Sequence, residues 1–143
     1  MAVFSHGDAQ NLLDAWKRGV ERRSPDELLE LCDRDIDFRA DPFAEPLIGL
    51  NAVHAHWNDF AASQANVEFD AERIWLNGNT VLASWHGAYT RRATAERVRI
   101  RGFMTLELND DRRVQRLRQW PAERVVGTDR TFEADPESGR EEG

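Results

Sequence analysis

Asp41-Pro42, in the run Ala40-Asp41-Pro42-Phe43-Ala44-Glu45-Pro46, is the pair with the most chemical promise. A carboxylate set against an apolar cavity has its charged form disfavoured, which moves it toward the working range of a general base. Pro42 restricts Asp41 to extended backbone, so its carboxylate can be aimed across a rim instead of along the chain. The competing role is an exposed, inert Asp in an Asx turn. Three histidines lie beyond the N-terminal arm: His54, His56 and His86. Two positions apart on a helix, His54 and His56 point about 200° from each other and cannot share a metal ion. A structural role suits each, with His54 the weaker candidate to couple with Asp41 as an acid–base pair. The single cysteine, Cys32, sits among leucines and reads as a small apolar residue. No metal and no cofactor is expected.

Trp16, Phe38, Trp57, Trp85, Tyr89 and Trp120 are the bulky aromatic set, and Met104 is their flexible neighbour on the inward register. Such side chains fill cores, but they also line pockets for flat, apolar ligands. The face taken by Trp120 depends on whether a bulge precedes it. Arg97, Arg99, Arg101, Arg113, Arg116 and Arg118 form the one basic concentration. The first three alternate away from the core, where Glu68, Asp70, Glu72 and Glu107 can pair with them. That interleaving argues against a phosphate track and for a charged outer surface or a dimer interface.

The elements that must position these residues are legible as periodicities. Asn66 to Pro121 reads as a four-strand meander: Val67–Leu76, Thr80–Arg91, Arg97–Leu108 and Val114–Trp120. Asn77-Gly78-Asn79 and Asn109-Asp110-Asp111 supply turns. Val98, Ile100, Gly102, Met104, Leu106 and Leu108 alternate with Arg97, Arg99, Arg101, Phe103, Thr105 and Glu107, the mark of an antiparallel sheet with one face on a core. Upstream, Ser5 or Asp8 caps a helix bearing Leu12, Leu13, Trp16 and Val20 that should end near Arg23. Ser24-Pro25-Asp26-Glu27 opens a short second helix through a capping box. Asp35–Arg39 is a short strand, and Leu50–Ser63 a third helix after Gly49. The order implies an α+β class, with helices segregated to one face of a curved antiparallel sheet.

This order resembles the nuclear transport factor 2-like superfamily, in its SnoaL-like and ketosteroid isomerase-like branch. The residues that carry the resemblance are Gly49-Leu50-Asn51-Ala52-Val53, Arg101-Gly102-Phe103-Met104, Asp110-Asp111-Arg112-Arg113-Val114 and Trp120, over roughly residues 8 to 121. The resemblance implies a cone, a strongly bent sheet around three helices with an apolar pocket inside. It also implies proton-transfer chemistry on a small apolar molecule, as isomerase, dehydratase or cyclase; the alternative is a binding or dimerisation module without acid–base groups. In the isomerases a carboxylate before a proline is the base, which falls on Asp41. The oxyanion donors fall on Trp16 and Met104; a thioether donates nothing, so steroid isomerisation is not expected. Relatives commonly pair through the outer sheet face, which implies a homodimer.

Composition bounds the rest. A length of 143 residues suits one domain, here residues 1–126. Residues 127–143 hold six acidic side chains against Arg130 and Arg140, carrying −4 of the net −7, and read as a flexible acidic tail. The negative charge speaks against nucleic acid, and no apolar run is long enough to span a membrane. With one cysteine and no signal-peptide pattern, a cytoplasmic setting is expected.

Overall fold

The computed structural model describes residues 4–134, and everything below refers to them. Helix α1 spans His6–Glu21. Ser5 caps it in a reciprocal box: Ser5 Oγ accepts from the Asp8 N–H at 3.1 Å, and Asp8 accepts from the Ser5 N–H at 2.8 Å. It stops two residues before the expected end, because Arg23 adopts a positive φ of 52°. Helix α2 spans Pro25–Leu29, with Ser24 Oγ accepting from the Glu27 N–H at 3.3 Å. The expected return bond from Glu27 is replaced, since its carboxylate pairs with Arg22 at 2.8 Å. Helix α3 spans Leu50–Ser63, as the periodicity predicts.

Six strands form one sheet: β1 Cys32–Arg39, β2 Leu47–Ile48, β3 Gln64–Asn77, β4 Thr80–Arg91, β5 Glu96–Leu108 and β6 Val114–Thr128, in the order β2-β1-β6-β5-β4-β3. The meander is β3 to β6, and β1 adds to it in parallel with β6, Phe38 opposite Leu117 and Arg39 opposite Arg118. The sheet curves around the helices without closing into a barrel, so the α+β cone is the observed architecture. Its core joins Leu13 and Trp16 of α1, Val53 of α3 and the inward residues Val81, Met104, Leu106 and Leu117. The lone lysine pins α1 to the sheet. Lys17 Nζ reaches Glu21 (2.9 Å), Asp70 (2.8 Å) and the Phe69 carbonyl (2.7 Å). Cys32 is buried, which pushes its thiol up to about 12 and makes it a poor nucleophile.

β6 departs most from expectation. Instead of stopping at Trp120 it runs on to Thr128 across Pro121. Pairing with β1 ends at Arg118, so Pro121 lies where β6 has lost one neighbour, a position at which a missing N–H is tolerated. The strand therefore continues past residue 126. Asp129 then ties down the chain: its N–H donates to the Ala95 carbonyl, and its carboxylate accepts from Thr90, Asn66 and Thr131. The Phe132 ring lies 5.5 Å from the Arg92 guanidinium. Residues 127–132, expected within the acidic tail, thus belong to β6 and its hydrogen-bonded continuation, and residues 135–143 lie outside the described ones.

On the outer face the arginine row meets carboxylates of β3, Arg97 to Glu68 at 2.8 Å and Arg101 to Glu72 at 3.6 Å. His86 lies between Glu72 (3.0 Å) and Asp70 (3.9 Å). No helix of the described residues is long and apolar enough to cross a membrane.

Candidate functional site

The helices do not fill the cone. Between them and the inward face of the sheet lies an open cavity of about 210 Å³. Its aromatic wall has two parts: Trp57 meets Trp16 edge-on at 5.7 Å and Phe38 at 5.5 Å, while Phe69 and Trp85 lie 5.2 Å apart across β3 and β4. Leu28 and Ile100 add aliphatic surface. Trp85 has this orientation because Gly102, opposite it on β5, leaves room for the indole; a Cβ at 102 would come within 2.7 Å of the ring.

Polar groups are few. His56 faces the cavity from α3, between the rings of Phe38 and Phe60 at 5.5 and 5.8 Å. Gln119 donates to the Met104 sulfur at 3.6 Å. Gln119 Oε1 and Trp85 Nε1 are buried without a protein partner, which is uncommon for interior polar atoms. Tyr89 donates to Glu123 Oε1 at 3.1 Å, and Arg91 lies 3.8 Å from the other carboxylate oxygen. Burial, followed by the Glu123 charge, raises the Tyr89 pKa and keeps the phenol protonated at neutral pH.

Of the expected pocket residues, Trp16, Phe38, Trp57, Trp85 and Tyr89 all line the cavity. Four other candidates do not. Met104 points inward but is fully buried in the core, below Gln119. Trp120 is on the outer face, 44 % exposed, since it pairs with outward Phe103 in unbroken register. His54 joins α3 to α2 through Asp26 at 3.1 Å. Asp41 is one residue from Ala40 on the lining, but its carboxylate accepts the Phe43 N–H at 2.8 Å in an Asx turn. The turn throws Phe43 out to solvent, 98 % exposed. The expected base is therefore not on the cavity wall.

Gln119, Pro121 and Glu123 line the cavity from β6, and sequence reasoning missed them. Their signal was the alternation Leu117, Gln119, Pro121, Glu123, Val125, obscured by the proline. Among the described residues no group of three or more His, Cys, Asp or Glu side chains is placed to hold a metal ion.

A bent sheet around three helices, with a cavity between them, defines the nuclear transport factor 2-like class. Within it the chain belongs to the SnoaL-like domain family, whose model matches residues 9–116. Solved structures agree on the fold. The epoxide hydrolase/cyclase-like enzyme SalBIII, of pyran ring formation in the polyether salinomycin, superposes with a TM-score of 0.75 at 13 % identity, covering 85 % of this chain and 98 % of its own. A SnoaL-like protein of unknown function from Burkholderia thailandensis E264 gives 0.69 at 14 %, covering 85 % and 99 %. An LEH-like epoxide hydrolase of M. tuberculosis gives 0.66 at 16 %, covering 80 % and 82 %. No curated protein matches the chain by sequence.

Proposed function

We propose that this chain is a small-molecule pocket protein whose ligand is an apolar, oxygenated compound of one or two rings. The aromatic-walled cavity carries the proposal. At about 210 Å³ it lies below the ~300–1,000 Å³ of drug-sized sites, which favours a ligand of one or two rings over a larger skeleton. Its wall suits flat apolar surface, and its few polar atoms suit one or two oxygens. The likeness to an epoxide hydrolase/cyclase-like enzyme and an LEH-like epoxide hydrolase supports chemistry on an oxygenated substrate over binding alone. A panel of one- and two-ring ketones and alcohols should contain members that raise the melting temperature. Saturation at about 100 times Kd adds about 2.7 kcal/mol. A panel in which four-ring compounds stabilise and smaller ones do not would contradict the proposal.

A homodimer through the outer sheet face belongs to the same reading. Trp75 (40 % exposed), Phe103 and Trp120 form an aromatic row there, with centroids 6.0 and 6.1 Å apart. Exposed aromatic rows on a face that also carries paired charges mark association surfaces. Sedimentation at about 20 μM should show a dimer, consistent with an interface of standard size, and Trp120→Asp should give a monomer. A wild-type monomer at that concentration would refute it.

A further inference from the structure

Trp85 Nε1, which can only donate, and Gln119 Oε1, which can only accept, are both buried and make no hydrogen bond with any described group. Both residues line the cavity, whereas the other such atoms, on Glu27, Asp37 and Arg39, belong to residues outside its wall. A bare interior donor or acceptor is costly, so two of opposite sense on one wall call for an occupant. The sheet register brings them to one patch. Trp85 of β4 is opposite Gly102 of β5, and Gly102 is opposite Pro121 of β6. The indole lies across Gly102, with Nε1 2.9 Å from where a Cβ would stand, so the nitrogen has crossed over β5 toward β6. Gln119, two residues before Pro121 on the same face, is the diagonal neighbour of Gly102. Such neighbours are about 7–8 Å apart, within reach of a long side chain. Met104 orients the amide: its sulfur accepts but cannot donate, so Gln119 Nε2 takes it at 3.6 Å and Oε1 is left over. A weak N–H···S bond opposes little the small turn that brings Oε1 to the cavity surface.

We propose, resting on the pocket reading above, that Trp85 and Gln119 form a subsite for one hydroxyl group, and that the ligand is a neutral ring alcohol. A hydroxyl satisfies both atoms at once. Its oxygen accepts the Trp85 indole N–H, and its own proton is donated to Gln119 Oε1. A ketone or ether oxygen accepts from the indole but leaves Oε1 bare. A carboxylate meets the indole equally well and is repelled by the amide oxygen, and a hydrocarbon leaves both atoms unpaired. The discrimination therefore lies in Gln119, while Trp85 serves any oxygen.

The test compares 2-tetralol, its ketone 2-tetralone and the hydrocarbon tetralin, which share one two-ring skeleton. Affinities come from tryptophan fluorescence of the full chain, and 15N spectra follow the indole N–H of Trp85. The wild type should bind 2-tetralol about 5–150-fold more tightly than 2-tetralone, the range for one buried partner left unmade, and tetralin most weakly. Gln119→Met removes the acceptor at nearly constant size. It should erase the preference for alcohol over ketone and leave tetralin binding unchanged. The Trp85 N–H proton should move downfield with 2-tetralol relative to tetralin, a readout that needs no variant to fold. Equal affinity for all three compounds, or a Trp85 N–H that is the same with 2-tetralol and tetralin, overturns the hydroxyl subsite and leaves the pocket standing. An alcohol preference that survives in Gln119→Met overturns the role of Gln119. Failure of all three to bind overturns the pocket reading for this skeleton, and the subsite with it.

Discussion

Gly102→Val should destabilise the protein by about 1–3 kcal/mol, the usual range for overpacking a filled interior, and should abolish ligand binding. The position is extended, so the effect is steric and owes nothing to backbone strain. A Cβ at 102 would lie 2.7 Å from Trp85 Cε2 and Cζ2 and 2.9 Å from Nε1. The indole already lies against Phe69, with ring centroids 5.2 Å apart. The ring is expected to turn toward the cavity it lines and to occupy the space a ligand would use. Denaturant unfolding gives the stability change, and titration with 2-tetralone gives the binding change. A Gly102→Val protein that binds the ketone like the wild type would show that Trp85 is not part of the wall.

Asp129→Ala should lower the melting temperature by several degrees and should do so in a pH-dependent way. The Asp129 carboxylate collects hydrogen bonds from the Thr131 hydroxyl and backbone, the Thr90 hydroxyl and the Asn66 amide. Those bonds, Thr131 first, hold its pKa well below the ordinary carboxylate range. Removing the carboxylate leaves the buried Thr90 hydroxyl without its acceptor, although Arg97 still donates to it. A depressed carboxylate stabilises the folded state above its unfolded-state pKa of ~3.9, and the contribution fades as pH falls toward the folded value. The gap between wild type and Asp129→Ala should therefore be constant above about pH 5 and narrow below about pH 4. A gap of zero at pH 7 would mean that the segment after β6 contributes nothing to stability, as its composition alone suggests.

The contrast between what periodicity revealed and what it hid has physical causes. The β5 alternation was unambiguous because one face is apolar and the other charged, and a one-residue slip would exchange them. Helix α3 matched its expected bounds because Gly49, with φ of 91°, marks its start and a β-rich run follows Ser63. The cavity wall followed from the same alternation, which placed Trp85 and Tyr89 inward. Pro121 hid the second half of β6, since proline reads as a strand stop unless the loss of a neighbouring strand is foreseen. Glu123 and the Asp129 tie were lost with it. Asp41 shows the opposite error: its residue type and its place before a proline allow two outcomes, and only the Phe43 N–H at 2.8 Å selects between them.

The five tryptophans offer the most direct test of the central claim, that the aromatic cavity is the binding site. Trp16, Trp57 and Trp85 line the cavity, whereas Trp75 and Trp120 are on the outer face. Titration of 15N-labelled protein with 2-tetralone should shift the indole N–H resonances of Trp16, Trp57 and Trp85 and leave those of Trp75 and Trp120 in place. Shifts confined to Trp75 and Trp120 would move the site to the outer sheet face and contradict the account.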